Sequence, residues 1–440
     1  MRMHRRTFLK AGLAVPVTLA IGRAGYAAAP PMPMVLWHSE ARPTRIKAIQ
    51  DLCAAFNKSQ SLITVTPENQ DYSSVYMKIA AAIQAGRPPD MMFTTPDITM
   101  LVQSSGGTIQ DVGPEVAKFN GMYRIDPSTL RPFTWNGKYW SVPLYNMAEV
   151  LWYRTDLFKK AGLDPANPPK MWSALLSTAQ TLVSKGVVKF PMGVAGDLHL
   201  ATMQQVYPLM CTTKAEDLFD GKGNVVFDNP NTVRAYDMYL RLFKMSPPGS
   251  ETWQWDQPLD ALIAGEVAMV IEKGQYIEQW DLRTTQPPDL LGAGPVPIPD
   301  TGGQHATATW DNGILLLNAT RQGRLGFDAF LDYLYTPENM GRLVGVGPGL
   351  FLPVTQEAAK AKSLHDNATL NRHFAAFSVE VQEEKYGRQL GFTKQPFNKD
   401  IGRITGQNLL AWVAQQMTIH GLSPAAAVKA GQQKILETLT

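Results

Sequence analysis

The chain contains little cysteine and little charge. Only Cys53 and Cys211 occur in 440 residues, too few for a disulfide scaffold or a cysteine-rich metal site. Charged residues make up 18% of the chain, against about a quarter in an ordinary soluble domain. This low fraction argues against a disordered chain, a coiled coil or a basic nucleic-acid-binding arm. The 45% of hydrophobic residues allows a large core, and the length favours two or three domains.

Basic charge is in excess only at the amino terminus. The first 29 residues contain no acid and five cations, namely Arg2, Arg5, Arg6, Lys10 and Arg23. Without these cations the net charge is −2 rather than +3. A nucleic-acid partner is therefore not expected, because such binding relies on an excess of basic residues.

Residues 1–29 have the layout of an export signal. The basic segment HRRTFLK at 4–10 is followed by a moderately apolar stretch at 11–21 and by small residues at 24–29. This stretch is too short to span a membrane, which takes about 20 residues. The arginine pair before Phe-Leu-Lys resembles a twin-arginine (Tat) signal, and an ordinary Sec signal with a chance arginine pair is the alternative. We expect a twin-arginine signal peptide at 1–29 and a soluble periplasmic mature protein.

Short apolar or β-branched runs alternate with helical patterns in the rest of the chain. We predict strands at 34–37, 63–66, 90–93, 268–271 and 313–317, and helices at 45–57, 72–85, 172–185, 231–243 and 424–439. Gly86 and the Pro88-Pro89 pair end the second of these helices. This alternation favours an α/β fold with mainly parallel sheets covered by helices on both faces.

Five motifs follow one another in a recognisable order. They are LWHS at 36–39, AAIQAGRPPD at 81–90, GKYWSVP at 137–143, LWYRTDLFKKAGL at 151–163 with PPKMW at 168–172, and GEVAM at 265–269. Together they resemble the extracellular solute-binding proteins of carbohydrate-type ABC importers, the group of maltose- and glycerol-phosphate-binding proteins. The chain departs from this pattern at Arg154 and Met171. It also carries WDNG at 310–313, where relatives often have a glycine pair.

The resemblance implies two α/β lobes, each a mainly parallel sheet flanked by helices, joined by hinge segments. The N-terminal lobe would comprise 30–144 plus 311–353, and the C-terminal lobe 145–310 plus 354–440. A ligand would be held between them at the ends of strands, and the lobes would close around it. The implied protein is a monomer without a cofactor. It would deliver a small carbohydrate or polyol to an inner-membrane ABC permease.

A sugar site needs carboxylates and amides to bind hydroxyl groups, and aromatic rings to stack on the sugar. These needs, with the positions that the resemblance implies, select the candidate ligand residues. They are His38, Ser39, Glu40, Tyr72, Asp97, Tyr145, Asn146, Trp253, Trp255, Tyr276, Trp310, Asp311, Asn312, Gly349, Phe351 and Arg388. For Asp97 the alternative is a helix N-cap. For Arg388, which would serve an anionic ligand, the alternative is a solvated charge.

Motifs for catalysis are scarce. The seven histidines have no paired metal-binding spacing, and no Walker, GxGxxG or GxSxG motif follows a predicted strand. We therefore do not expect an enzyme. A periplasmic glycosidase is an alternative, because the two carboxylates of such an enzyme lie far apart in sequence and form no local motif. A binder of an anionic sugar derivative is the other alternative. With Glu40, Asp97 and Asp311 in the cleft and few cations, neutral or cationic ligands are expected to bind more tightly than anionic ones.

Overall fold

The computed structural model describes residues 30–72 and 74–439, so the predicted signal peptide at 1–29 lies outside the described residues. The strands are β1 Met32–His38, β2 Ile63–Asn69, β3 Met91–Thr94, β4 Thr134–Trp135, β5 Lys138–Tyr139, β6 Val142–Asn146, β7 Glu149–Arg154, β8 Met269–Lys273, β9 Leu291–Gly294, β10 Thr307–Ala308, β11 Asn312–Leu316, β12 Leu352–Pro353 and β13 Gly387–Arg388.

The α-helices of the same residues are α1 Pro43–Ser59, α2 Val75–Gln84, α3 Pro96–Ser104, α4 Gly113–Tyr123, α5 Pro127–Leu130, α6 Thr155–Lys160, α7 Trp172–Ser184, α8 Leu200–Thr212, α9 Pro230–Phe243, α10 Asp256–Ala264, α11 Gln275–Arg283, α12 Arg321–Leu334, α13 Pro337–Val344, α14 Lys362–His365, α15 Ala368–Arg372, α16 Phe374–Glu383, α17 Ile401–Gly406, α18 Leu409–Thr418 and α19 Pro424–Leu439. Each predicted strand and helix overlaps one of these elements, so those predictions are confirmed. None of the described helices is long and apolar enough to cross a membrane.

The first lobe is built on a six-stranded sheet with the order β12-β6-β11-β3-β1-β2. Strands β2 and β3 pair with β1 in parallel, whereas β11 runs antiparallel to both β3 and β6, and β12 antiparallel to β6. The second lobe is built on the antiparallel sheet β8-β7-β9. The expectation of mainly parallel sheets is therefore wrong, although the α/β class and the two-lobed architecture are confirmed.

The direction of the crossing strands explains this error. Strands β1 and β3 end at the cleft between the lobes, and β6 leaves the first lobe there and continues into β7 of the second lobe. Strand β11 enters the first lobe from the cleft, so it must run opposite to its neighbours β3 and β6. Strand β7 enters the second lobe from the cleft in the same way and pairs antiparallel with β8. The alternation of predicted strands and helices does not reveal which strands enter a lobe from the cleft and therefore pair antiparallel with their neighbours.

The segments that join the sheets run side by side. Met147 and Ala148 connect β6 to β7, and Thr309, Trp310 and Asp311 connect β10 to β11. The backbone N–H of Trp310 donates to the carbonyl of Met147 at 2.9 Å, and Ala148 pairs with Thr309 in an antiparallel bridge. These paired crossings form the hinge between the two sheets.

Helix α8 has no counterpart among the sequence predictions. Every residue from Leu200 to Thr212 is buried, so the helix has no polar face and lacks an amphipathic pattern. It carries one of the two cysteines, Cys211, while Cys53 lies in α1, and both thiols are buried and free.

Candidate functional site

A cavity of about 230 Å³ lies between the lobes. The ends of β1, β3 and β6 and the start of β11 reach it from the first lobe, through His38, Thr94, Tyr145 and Asn312. Lys273 at the end of β8 reaches it from the other side. A wider outer chamber of about 560 Å³ adjoins it and shares several of its walls. The cavity thus lies where open α/β sheets usually bind ligands, at strand ends.

Aromatic rings from both lobes line the cavity. Tyr72 and Trp255 meet edge to face, with ring centroids 6.5 Å apart, where the inner cavity joins the outer chamber. Tyr145 and Phe351 stack on each other at 3.8 Å on the hinge side. The Trp255 Nε1–H donates to Gln204 Oε1 at 2.8 Å, which fixes the orientation of the indole. Rings held in this way offer flat apolar faces to a ligand between them.

Three carboxylates and three cationic groups line the cavity. Arg45 is almost fully buried and donates to Glu278 Oε2 from Nε at 3.1 Å and from Nη2 at 2.7 Å. Its Nη1 lies 3.5 Å from Glu40 Oε2. Burial raises the pKa of Glu40, while Arg45 and a hydrogen bond from Tyr145 oppose that shift. The Arg45 charge is therefore shared between two buried carboxylates.

Asp97 is the most fully hydrogen-bonded carboxylate of the cavity. Its Oδ2 accepts from the Tyr76 hydroxyl at 2.7 Å and from the Thr405 hydroxyl at 2.6 Å, and its Oδ1 accepts from the Thr95 hydroxyl. Asp97 lies in the first turn of α3 rather than at the N-cap, which is Thr95. A negative charge is favourable at a helix N-terminus. Neutral donors and the helix together hold this carboxylate in place.

The remaining charges are also paired. Lys273 Nζ donates to Glu272 Oε1 at 2.9 Å and to Gln204 Oε1 at 2.5 Å, and it lies 5.5 Å from the centre of the Trp255 ring. At the rim, Arg42 of the first lobe forms an ion pair with Asp256 of the second. Each charged group of the cavity wall thus has a partner within the described residues.

Among the described residues, the buried side-chain atoms of the cavity wall that have no hydrogen-bond partner are all neutral. They are Nδ1 and Nε2 of His38, Oγ of Ser39 and Nε2 of Gln275. Burial lowers the pKa of His38 to about 4, so its imidazole is uncharged near neutral pH. Buried polar atoms are rarely left without partners in native proteins. These four atoms, which belong to residues of the cavity wall, therefore still need hydrogen-bond partners.

The structure brings most of the predicted ligand residues together around this cavity. Those that line it are His38, Ser39, Glu40, Tyr72, Asp97, Tyr145, Trp255, Trp310, Asn312 and Phe351. The others lie elsewhere and are Asn146, Trp253, Tyr276, Asp311, Gly349 and Arg388.

Most of the candidates that lie elsewhere stand one position away from a residue that lines the cavity. Asn146 follows Tyr145, and Asp311 lies between Trp310 and Asn312. Successive side chains of an extended segment point to opposite sides, so only alternate residues face the cavity. Arg388 precedes the lining residue Gln389 and instead lies 3.7 Å from Glu216.

Packing explains the other three cases. Tyr276 is fully buried and stacks on Trp152 with ring centroids 5.6 Å apart, while its neighbour Gln275 lines the cavity. Gly349 has a φ of +85°, and a Cβ there would lie 2.7 Å from the carbonyl oxygen of Gly274, so the two backbones are in close contact. Trp253 packs, half-buried, against core residues.

Several lining residues were not among the sequence candidates. Lys273 and Gln275 follow a recognisable strand, and the carboxyl end of that strand was the signal that could have identified them. Arg45 lies in the first turn of a predicted helix just beyond β1. Gln204, on the fully buried α8, and Thr405, in the carboxyl-terminal helices, gave no sequence signal.

The fold and the site define a class of protein: two lobes that enclose a polar, ring-lined cavity at the ends of strands. The sequence matches the family of bacterial extracellular solute-binding proteins over residues 41–341, and the chain belongs to this family. No cluster of three or more His, Cys, Asp or Glu suited to a metal ion occurs among the described residues.

Relatives agree with this assignment. The putative ABC transporter periplasmic-binding protein YcjN of Escherichia coli (strain K12) is 22% identical over 410 residues, which covers 91% of each chain. The sn-glycerol-3-phosphate-binding periplasmic protein UgpB of Pectobacterium atrosepticum is 29% identical over 280 residues, 60% of each chain.

Solved structures share the fold. The GacH receptor of Streptomyces glaucescens, solved unliganded and with acarbose, has a TM-score of 0.75 at 18% identity and covers 93% of this chain and 98% of its own. Maltose-bound MalE3 of T. maritima has a TM-score of 0.75 at 15% identity, covering 93% and 100%. A solute-binding protein of Agrobacterium radiobacter K84 in complex with ribitol has a TM-score of 0.73 at 18% identity, covering 92% and 98%.

Proposed function

We propose that the protein captures a small carbohydrate or polyol derivative in the cavity between its lobes and delivers it to an inner-membrane ABC permease. One observation carries this proposal: rings from both lobes flank a cavity, and the buried side-chain atoms of its wall that lack a partner are neutral hydrogen-bonding groups. A polyhydroxylated ligand supplies donors and acceptors for such atoms, and its apolar faces suit the rings. The acarbose, maltose and ribitol complexes of structural neighbours support this class of ligand.

We infer that neutral ligands are preferred over both anionic and cationic ones. The expectation that Glu40, Asp97 and Asp311 line the cavity with few cations needs correction. Asp311 lies outside the cavity and Asp256 is its third carboxylate, while Arg42, Arg45 and Lys273 also line it. An anion would have to compete with Glu40, Glu278 and Glu272 for these cations. A cationic ligand would in turn have to displace donors from Asp97.

An anionic sugar derivative is the second candidate, since UgpB of Pectobacterium atrosepticum is named for glycerol-3-phosphate binding and three cationic groups line the cavity. A thermal-shift screen followed by calorimetry separates the candidates. Its panel should pair neutral sugars and polyols, ribitol included, with their phosphorylated, acidic and amino forms. The neutral members are expected to bind most tightly. Tight binding confined to phosphorylated or acidic members would promote the second candidate, and no binding by any member would contradict the proposed function.

Enzymatic turnover needs its own test. A periplasmic glycosidase would release product from aryl glycosides, and we expect none from the purified protein.

Delivery to a permease is tested with the reconstituted transporter. Ligand-loaded protein should stimulate its ATPase activity, and ligand alone should not.

We also propose that the mature protein works in the periplasm after export by a twin-arginine signal at residues 1–29. Family membership supports the location. Replacing both arginines of the pair, Arg5→Lys with Arg6→Lys, should then abolish export. Normal periplasmic yield of the double variant would favour a Sec signal.

The lobes are proposed to comprise 30–144 plus 311–353 and 145–310 plus 354–440, as a monomer that closes on its ligand. Paired crossings at 147–148 and 309–311 support a hinge at these boundaries. Small-angle scattering should give a smaller radius of gyration with saturating ligand than without it. An unchanged profile would contradict closure.

A further inference from the structure

Helix α8 brings a glutamine to the wall of the cavity between the lobes. Every residue of this helix is buried, and Gln204 is 5% exposed. Burying a side-chain amide is costly unless its polar atoms find hydrogen-bond partners. Gln204 lines the cavity, so the partners of its oxygen and nitrogen decide what it offers there.

The side-chain oxygen of Gln204 accepts two hydrogen bonds. Lys273 Nζ donates to Oε1 at 2.5 Å, and the Trp255 Nε1–H donates to the same atom at 2.8 Å. An ammonium group and an indole N–H can only donate, so neither could bond to the amide nitrogen. The orientation of the amide is therefore set by its chemistry, with the oxygen towards Lys273 and Trp255.

Both of these anchoring side chains are themselves held in place. Lys273 Nζ also donates to Glu272 Oε1 at 2.9 Å and lies 5.5 Å from the centre of the Trp255 ring. The Trp255 and His199 rings meet at 78°, with their centroids 4.5 Å apart. The amide of Gln204 is thus fixed by two side chains that each have further contacts.

The side-chain nitrogen of Gln204 keeps both of its N–H donors. Nε2 makes no hydrogen bond among the described residues, whose bonds to this amide both end on Oε1. It is also not one of the fully enclosed side-chain atoms that lack a partner, so it retains accessible surface. Since Gln204 is otherwise buried and lines the cavity, this surface opens to the cavity. Position 204 therefore presents donors, and no free acceptor, to an occupant of the cavity.

We propose that Gln204 determines ligand specificity by donating from its side-chain amide to an oxygen atom of the bound ligand, and that Lys273 and Trp255 are the positioning residues of this amide. The inference rests on the proposed function, because it requires a neutral ligand in the cavity. A hydroxyl, ether or carbonyl oxygen can accept such a bond, whereas an ammonium group has no lone pair with which to accept it. Position 204 thus selects for an acceptor on the part of the ligand that faces α8.

The next residue of the helix provides a matched control. Gln205 is also buried, and its Oε1 accepts from the backbone N–H of Ala195 at 2.7 Å. It does not line the cavity between the lobes. A substitution of Gln205 removes a buried amide from the same helix but no donor from the cavity wall.

The test measures the affinity for ribitol, D-glucose and maltose by calorimetry and continues with the probe that the wild type binds most tightly. Gln204→Met, a side chain of similar length without an amide, should bind that probe about tenfold more weakly, the scale of one hydrogen bond. Gln205→Met should bind it as the wild type does. Both variants should have a lower melting temperature, because each leaves buried donors without an acceptor.

A double-mutant cycle tests the positioning role of Trp255. Trp255→Phe keeps an aromatic ring but removes the N–H that anchors Gln204. It should weaken binding of the probe about fivefold in the wild-type background and less than about twofold in the Gln204→Met background, where no amide remains to be oriented. Equal losses in the two backgrounds would overturn the positioning role, since a ring that only packs on the probe has the same effect in both.

An unchanged affinity of Gln204→Met for the probe would overturn the inference and leave the proposed function intact. An equal loss in Gln205→Met would overturn it as well, because any change in α8 would then lower the affinity. If none of the three probes binds the wild type, the proposed preference for neutral ligands fails, and this inference fails with it. Should Gln204→Met not fold, Gln204→Asn takes its place, because it withdraws the amide by one methylene and should show the same loss.

Discussion

The cavity between the lobes, called here the ligand cavity, lies on one side of the crossing segments, and a much smaller space of about 10 Å³ lies on the other. This smaller space, called here the hinge cavity, is lined by Asn146, Asp311 and Glu384 among others, and the two cavities differ in how their buried charges are paired. In the ligand cavity Arg45 lies between Glu40 and Glu278, and Lys273 contacts Glu272. Asp311 and Glu384 both line the hinge cavity; Asp311 Oδ1 has no hydrogen-bond partner among the described residues, and Glu384 Oε1 accepts from Asn146 Nδ2 at 3.3 Å. In the first cavity each charged group of the wall has a partner, and the buried wall atoms without a partner are neutral. The second encloses two carboxyl groups whose pKa values are raised, mainly by burial.

The difference gives the two cavities opposite responses to pH. His38 in the ligand cavity has its pKa lowered to about 4 by burial, so it penalises the folded state on the acid side. Glu384 in the hinge cavity has its pKa raised to about 8, so it penalises the folded state on the alkaline side. Stability is therefore expected to be greatest between these limits.

The largest effect is expected from removing the cation of the ligand cavity. Arg45→Met leaves Glu40 and Glu278 buried without their cation, and breaking a buried pair in this way costs about 3–5 kcal/mol. The free energy of unfolding from urea titration is the measurement. Adding Glu278→Gln to the variant should restore part of the loss. A loss below about 1 kcal/mol, the scale of an exposed pair, would show that the charge is not buried in solution.

The next effect separates the two aspartates. Asp97→Asn should weaken ligand binding by about 1.5–3 kcal/mol, the scale of hydrogen bonds to a charged group, because this carboxylate organises three hydroxyls at the ligand cavity. Asp311→Asn should leave affinity at neutral pH nearly unchanged, because its side chain faces the hinge cavity. Calorimetry with the best ligand of the screen measures both. Equal losses of affinity in the two variants would show that the side chain of Asp311 also faces the ligand cavity in solution.

A smaller effect tests which tryptophan faces the ligand. Trp255→Ala should weaken binding by about tenfold, or 1.4 kcal/mol, because the ring lines both the inner cavity and the outer chamber. Trp253→Ala is the matched control, only two residues away and outside the cavity. It should leave the affinity unchanged. The reverse order of effects in a binding titration would contradict the observed orientation of this loop.

The smallest effect concerns His38. Because its pKa is about 4, the imidazole should stay neutral and its NMR signals should not titrate above about pH 5.5. Between pH 4 and 6.5 the unfolded chain binds a proton there that the folded chain does not, so stability should rise with pH over this window. His38→Gln should flatten that part of the stability profile. A titration midpoint near pH 6.5 would show that the ring is solvated.

Many of the strands and helices could be predicted because the pattern of apolar and turn residues within a short segment indicates them. The strand Met32–His38, the helix Pro43–Ser59 and the terminal helix Pro424–Leu439 follow from apolar periodicity and turn residues. Helix α8 could not be predicted, because a helix buried on all sides shows no period. The mixed direction of the first sheet could not be predicted either. It depends on which strands return from the other lobe, and that is a property of the whole chain.

The sequence by itself determined the class of the fold and the segments that meet at the ligand cavity, because strand ends and crossing segments are marked locally. Only the tertiary structure decided which residue of each segment faces the ligand cavity: Tyr145 rather than Asn146, and Trp310 and Asn312 rather than Asp311. A shift of one residue turns an extended side chain to the other side, and nothing local fixes that choice. The pairing of Arg45 with Glu278, 233 positions apart, was likewise settled only when folding brought the two lobes together.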